Sequence, residues 1–172
     1  IPSLLFLTLV VVLSGLLALR HESLTIALLG IFGAYLAPLL LDSGIHSDQY
    51  YILLVYILLV GLGVFGVSMF RNWRWLTLVG LLASYSLFGA YADRIPDQDL
   101  IVAQIGLTAN FLVFVGATTL FHIVWRRDPK PTDMALMTLN AAAYFGVTYG
   151  LLWEQYQGWF GLITLALTLF YG

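Results

Sequence analysis

Gly61-Leu62-Gly63-Val64-Phe65-Gly66 reproduces the dinucleotide-binding fingerprint letter by letter. That motif works where a strand turns into a helix and the backbone must approach a pyrophosphate, with an acidic residue further on for the ribose. Here the glycines lie inside an unbroken apolar run with no strand before them. Close helix contact is the better reading of their spacing, because small residues let backbones approach where the surroundings are hydrocarbon.

The other chemically capable residues also fall short of a catalytic set. Asp42, Asp93, Asp97 and Asp99 carry the oxygens that a divalent cation takes, calcium needing about six to eight, yet their spacing matches no ligand loop. A solvated acidic rim is expected instead. A glycosidase-type carboxylate pair needs a set separation across a cleft, which spacing alone does not supply. His46 falls on the opposite side of the chain's alternation from His21 and His122, so the three histidines cannot share one metal. The remaining set, His21 with Glu22 and His122, reads better as interfacial side chains bonded to backbone or water. No serine sits in a nucleophile elbow. The absence of cysteine excludes disulfides, thiolate metal sites and cysteine nucleophiles. No catalytic, cofactor-binding or metal residue is therefore assigned, no cofactor is expected, and the chain does not read as an enzyme.

Uncharged polar residues are more informative. Gln104, Thr108, Asn110, Thr118, Thr119 and His122 lie in one apolar run, and Asn140, Tyr144 and Thr148 in another. At about 100 degrees per residue, Gln104, Thr108, Thr118, Thr119 and His122 share an arc of about 100 degrees, a polar stripe that Phe111 and Val115 interrupt. Asn140, about six residues inside its run, needs a hydrogen-bond partner, since a bare carboxamide in hydrocarbon costs several kcal/mol. The expected partner is a threonine hydroxyl or a backbone carbonyl in the 100–125 segment, or His122. Asn140 is expected near the level of Thr118 and Thr119. No Asp, Glu, Lys or Arg lies near the middle of any run, which argues against ion-coupled transport.

The elements that must position these residues are set by composition. Apolar residues make up 61% of the chain and charged residues 9%, against roughly 25% charged in a soluble domain. The apolar runs approach the ~20 residues that cross a bilayer as a helix, and no alternation suggests a barrel. Seven segments follow, at roughly 3 to 19, 23 to 41, 51 to 70, 74 to 92, 100 to 125, 134 to 153, and 158 onward. Residues 1–19 lack the basic n-region and cleavage pattern of a signal peptide and read as a span. Short connections make sequential helices antiparallel neighbours. The whole of 1–172 reads as one transmembrane helical domain, and its start at Ile1 and stop inside an apolar run read as a piece of a longer chain.

Loop charge gives an orientation. Alternating segments place Arg20, Arg71, Arg74, Arg126, Arg127 and Lys130 on one side and only Arg94 on the other, so the first group is expected in the cytoplasm and the N-terminus outside. Tyr50, Tyr51, Trp73, Trp75, Tyr91, Trp125, Trp153, Tyr156 and Trp159 fall at segment ends, where amphipathic rings favour the interface. The loop Arg126-Arg127-Asp128-Pro129-Lys130-Pro131-Thr132-Asp133 could touch anionic headgroups at about 1 kcal/mol per basic residue. It reads primarily as a topology signal, and it is too short for a nucleic-acid footprint.

The stretch from Gly30 to Gly44 organises the rest. Gly30, Gly33, Ala34 and Ala37 place small residues three and four apart, which predicts a central helix packed against its neighbours. Pro38 has no N–H for the carbonyl of Ala34, so a loosened turn is expected there, and only surrounding protein or water could satisfy that carbonyl. Ala142, Gly146 and Gly150 are likewise expected to face other helices.

Gly33-Ala34-Tyr35-Leu36-Ala37-Pro38, Trp73-Arg74-Trp75-Leu76 and Leu139-Asn140-Ala141-Ala142-Ala143-Tyr144-Phe145 together resemble the large bacterial polytopic proteins classed as a predicted membrane protein domain of unknown function. The resemblance covers the whole chain, with Ala34 departing from the usual second glycine. It implies a longer, many-helix chain of the bacterial inner membrane, and no functional residues to carry over.

Two functions fit these features. One is a non-enzymatic membrane scaffold or interaction module, whose partners are the bilayer and other transmembrane helices, with no nucleic acid. The other is a conduit or carrier for a neutral or lipidic solute, its cavity walled by the Pro38 break and the polar stripe, as discontinuous helices do in transporters. A ligand-sized cavity at that place would favour the conduit, and a surface filled by side chains the scaffold.

Overall fold

The computed structural model describes residues 13, 17, 20–40, 50–70, 73–125, 131–153, 158 and 160–171. These form α1 (Leu24–Leu40), α2 (Tyr50–Phe70), α3 (Arg74–Tyr91), α4 (Leu100–Trp125), α5 (Pro131–Leu152) and α6 (Phe160–Tyr171), with short 3-10 turns at Ala92–Arg94 and Asp97–Asp99. No strand occurs among the described residues. Helices are what a long apolar run must form in lipid, because each backbone polar group then finds its partner inside its own segment.

Four described helical stretches are long and apolar enough to cross a membrane, namely Tyr50–Phe70, Arg74–Arg94, Asp97–Thr119 and Pro131–Leu152. The described parts of α1 and α6 are shorter, at 17 and 12 residues. Segment 3 to 19 lies largely outside the described residues. Among the described residues there are thus four such helices where the sequence suggested about seven. The join between α3 and α4 is set by Pro96, which holds Ile95 extended (φ −81°, ψ 123°) and ends the helical path. Ile95 is buried in that corner.

α2, α3, α5 and α4 form a ring in that order, and α1 lies against the outside of α3 and α2. The most extensive packing joins α2 to α4, which are not consecutive in sequence. Short loops bring consecutive helices together, but a ring also creates neighbours that loop length does not specify. Ser68 of α2 meets Thr77 of α3 at 3.0 Å, and Val64 lies opposite Gly80, so α2 and α3 run antiparallel. Leu54 packs on Gly106 and Gly61 on Asn110 and Phe114, so α2 and α4 run parallel.

The glycines that allow close approach are Gly61, Gly80 and Gly106. A Cβ on Gly80 would stand 3.0 Å from both Val64 methyls, one on Gly61 3.3 Å from Asn110 Oδ1, and one on Gly106 3.5 Å from Leu54. Gly63 and Gly66 of the fingerprint meet no described atom within 4 Å, so of the three only Gly61 packs.

One position of the face expected in α1, Gly33, and the small-residue face expected in α5 are corrected. Gly33 is exposed, as are Ala142, Gly146 and Gly150, and the three glycines have no described atom within 4 Å of a Cβ position. In α1 the buried face runs through Ala27, Ile31, Ala34, Tyr35, Ala37 and Pro38, and Gly33 lies roughly 130 degrees from its centre at 100 degrees per residue. Gly30 is at its edge and half-buried. In α5 the buried seam is Asp133, Leu136, Asn140, Tyr144, Thr148 and Leu151, which turns the small residues outward. Burying the polar seam avoids bare polar groups worth several kcal/mol each, and that outweighs what a small-residue face gains from packing.

Candidate functional site

Polar side chains inside the bundle gather at two places. The first surrounds the bend of α1. Pro38 is fully buried, and the Ala34 carbonyl that it leaves without an amide accepts a hydrogen bond of 2.8 Å from the Tyr56 hydroxyl of α2. The Pro38 carbonyl accepts one of 3.2 Å from Tyr91 of α3. Tyr35 and Ser84 pair through their hydroxyls between them. Three tyrosines therefore fasten α1 to the ring. Ala37 is buried alongside.

The second lies where α3, α4 and α5 meet. Gln104 Nε2 donates to the Tyr144 hydroxyl at 2.9 Å and to Thr148 Oγ1 at 3.2 Å. Thr108 directs its single hydroxyl hydrogen to the Gln104 carbonyl at 2.8 Å, so the 3.0 Å contact between Thr108 and Tyr144 has the tyrosine as donor. The chain of donors closes on itself, from the Gln104 side chain to Tyr144 to Thr108 and back to the Gln104 backbone. Nearer the other end of the bundle, Asn140 donates to the Phe111 carbonyl at 3.2 Å and accepts from the Tyr85 hydroxyl at 2.8 Å. The Phe111 and Tyr144 rings lie 4.8 Å apart and fill the space between the two groups.

Asn140 thus has the backbone-carbonyl partner expected of it, but at the level of Phe111 rather than of Thr118 and Thr119. α5 begins at Pro131, and α4 extends far enough past the contact that counting equal depths from the loop misplaces the register. The stripe is not one surface. Gln104 and Thr108 are absorbed by α5, whereas Thr118 returns its hydroxyl to the carbonyls of Phe114 and Val115 at 3.0 Å. Thr119 Oγ1, Gln104 Oε1 and both polar atoms of the Asn110 side chain are buried with no partner among the described residues. The His122 side chain lies outside what is described. Tyr85, Ser84 and Tyr56 were not singled out from sequence, and Tyr91 only as an interfacial ring. A tyrosine within an apolar run, away from its ends, is the signal that finds Tyr56 and Tyr85.

At the end of the bundle shared by the start of α3 and the start of α5, Arg74 Nη2 pairs with Asp133 Oδ2 at 2.9 Å, and its Nη1 donates to Thr132. Among the described residues no three His, Cys, Asp or Glu side chains are grouped to hold a metal ion. Asp42 and His46 lie outside the described residues. Asp93 and Asp97 are exposed. An apolar groove of about 470 Å3 runs between α1 and α3, away from the stripe of α4.

Hydroxyls and carboxamides that bond one another or helix carbonyls can fix helix rotation and carry no net charge. This is an all-helical protein with several helices able to span a membrane, fastened by neutral hydrogen bonds. The chain belongs to the family described as Predicted membrane protein (DUF2339), whose model matches residues 1–172. No curated protein and no solved structure matches it.

Proposed function

We propose that this chain is a non-enzymatic scaffold or interaction module of the bacterial inner membrane. On this reading it crosses the bilayer about seven times from an outside N-terminus and packs on further transmembrane helices of its own chain or of a complex. The supporting observation is the closed donor cycle of Gln104, Tyr144 and Thr108, with Phe111 filling the space beside it. Those are the side chains that a conduit along the stripe would need to keep open and hydrated. The conduit reading, for a neutral or lipidic solute, draws support from the unpartnered Asn110 carboxamide and Gln104 Oε1.

Permeability separates the two. Proteoliposomes holding the protein should show the same water and glycerol flux as empty vesicles, and Gln104→Ala should change thermal stability without changing flux. A flux above the empty vesicles that Gln104→Ala or Asn110→Leu abolishes would replace the scaffold with the conduit. Orientation is tested separately by impermeant thiol labelling in intact cells, where cysteines at Asp48 and Asp97 should react and one at Lys130 should not. The opposite pattern inverts the topology.

A further inference from the structure

The polar groups at the α4–α5 seam can be counted hydrogen by hydrogen. Thr108 spends its hydroxyl hydrogen on the Gln104 carbonyl, so the hydrogen between Thr108 and Tyr144 belongs to the tyrosine. With that hydrogen spent, the Tyr144 oxygen can only accept from Gln104, which fixes the carboxamide with Nε2 toward it. Turning the amide over would set Oε1 against an oxygen with no hydrogen left to give. Both Nε2 hydrogens are then committed, one to Tyr144 and one to Thr148 Oγ1.

Two groups remain. Gln104 Oε1 is buried with no partner among the described residues. Thr148 accepts from Gln104 and gives its own hydroxyl hydrogen to no described atom. Thr108, Thr118, Thr138 and Thr168 each return that hydrogen to the carbonyl four residues back, the usual recourse of a helical threonine, and Thr148 does not. Thr148 is completely buried, so bulk solvent does not reach it.

One acceptor and one donor left side by side match a single small molecule that both donates and accepts. Thr148 Oγ1 lies 3.2 Å from Nε2, and Oε1 is about 2.2 Å across the amide, so the two are at most about 5.4 Å apart. A water oxygen at about 2.8 Å from each spans that distance, and two partners suffice for a buried water, which takes about two to four. Gln104 follows the start of α4 at Leu100 by one turn, and Thr148 precedes the end of α5 at Leu152 by one turn, about 6 Å inside the bundle. Water therefore has a short way in. The Asn110 carboxamide is bare as well, but it faces Gly61 beside the apolar Val113 and Phe114, which supply no second group.

We propose that Gln104 Oε1 and the Thr148 hydroxyl hold one internal water molecule, which accepts from Thr148 and donates to Oε1. The water links α4 to α5 through the two groups that the protein's own bonds leave open. It sits at a closed end, because the Phe111 and Tyr144 rings fill the space toward Asn140. The assignment follows from the hydrogen count and holds under the scaffold and the conduit reading alike.

Radiolytic footprinting of the full protein in detergent supplies the test, since an X-ray pulse turns a bound water into a hydroxyl radical that oxidises the side chain beside it. Tyr144, bonded to Gln104, should be oxidised several-fold more than Tyr56 and Tyr85, which are also buried but whose hydroxyls bond protein acceptors directly. Thr148→Val should bring Tyr144 down to their level, Gln104→Met should do the same, and Thr148→Ser should keep the wild-type yield. Glycerol, which scavenges radicals in bulk, should lower labelling of the exposed Tyr51 and leave Tyr144 unchanged. Wild-type Tyr144 labelled no more than Tyr56 and Tyr85 overturns the site. So does an unchanged yield in Thr148→Val, which would place the water on other groups. A fall at Tyr144 with glycerol means that the radicals came from bulk or that a solute hydroxyl takes the place of water, and either overturns the assignment. The wild-type comparison decides the matter even if Thr148→Val fails to fold.

Discussion

The Tyr56 hydroxyl stands 2.8 Å from the Ala34 carbonyl, the one acceptor in α1 that Pro38 deprives of its amide partner. Interhelical hydrogen bonds in membranes average only about 0.6 kcal/mol and reach about 1.7, because separated helices find other partners. Here the separated helix has no amide at position 38 to offer. Tyr56→Phe should therefore cost near the upper figure, about 1.7 kcal/mol, in unfolding from mixed micelles. In a Pro38→Ala background the restored N–H supplies the missing donor, and the same change should cost less than about 0.6 kcal/mol. Equal losses in both backgrounds would mean that the tyrosine packs without serving the proline.

Glycine substitutions should sort by contact rather than by motif. Gly80→Ala drives a methyl to 3.0 Å from both γ-carbons of Val64, a buried β-branched side chain with little rotamer freedom. An overpacking loss of about 1 to 3 kcal/mol is expected, partly recovered by Val64→Ala. Gly33→Leu and Gly146→Leu, both pointing into open space among the described residues, should leave thermal stability in detergent unchanged. A loss at Gly33 as large as that at Gly80 would show that something else covers α1.

These outcomes reflect what a sequence can and cannot carry. The helical class and the segments that became α2 to α5 were legible because hydrocarbon permits few backbone solutions, and run length reports them directly. The need of the Ala34 carbonyl and of Asn140 for partners was legible too, since the cost of a bare polar group has a fixed sign wherever it is buried. Tyr56 and Tyr85 as the hydroxyls that answer were not. They belong to α2 and α3, and periodicity gives each helix a polar side without the rotation that sets it against its neighbours. The same gap explains Gly33 and Gly146, where a stripe of small residues was read as a contact face while the bulky and polar residues opposite took the interior. The α1–α3 groove is a shape left between two helices, so no single segment encodes it.

Arg74 and Asp133 tie the start of α3 to the start of α5. The carboxylate is almost fully buried, with 7% of its side chain exposed against 22% for the arginine, so salt has little access to the pair. Asp133 also sits in the first turn of α5, where a negative charge favours the helix N-terminus. Asp133→Ala should lower stability by about 1 to 3 kcal/mol. The loss should persist as ionic strength is raised in detergent. If high salt erased the difference from wild type, the pair would be a screened surface contact instead.

Asn140 gives the sharpest separation of a structural role from a wet cavity. Only 1% of it is exposed, and each end of its carboxamide is engaged, Oδ1 by Tyr85 and Nδ2 by the Phe111 carbonyl. Asn140→Leu leaves the Tyr85 hydroxyl without this acceptor, while the Phe111 carbonyl, which has a second lone pair, keeps its place in the α4 ladder. Tyr85→Phe leaves Oδ1 bare in its turn. Each single change should cost on the order of 0.6 to 1.7 kcal/mol. The double variant removes both the stranded donor and the stranded acceptor, so it should be no less stable than the weaker single variant. Strict additivity would mean that the two side chains do not act on one another. A carboxamide lining a wet path predicts something different, with the folding midpoints of the Asn140→Leu and wild-type proteins coinciding while solute flux changes.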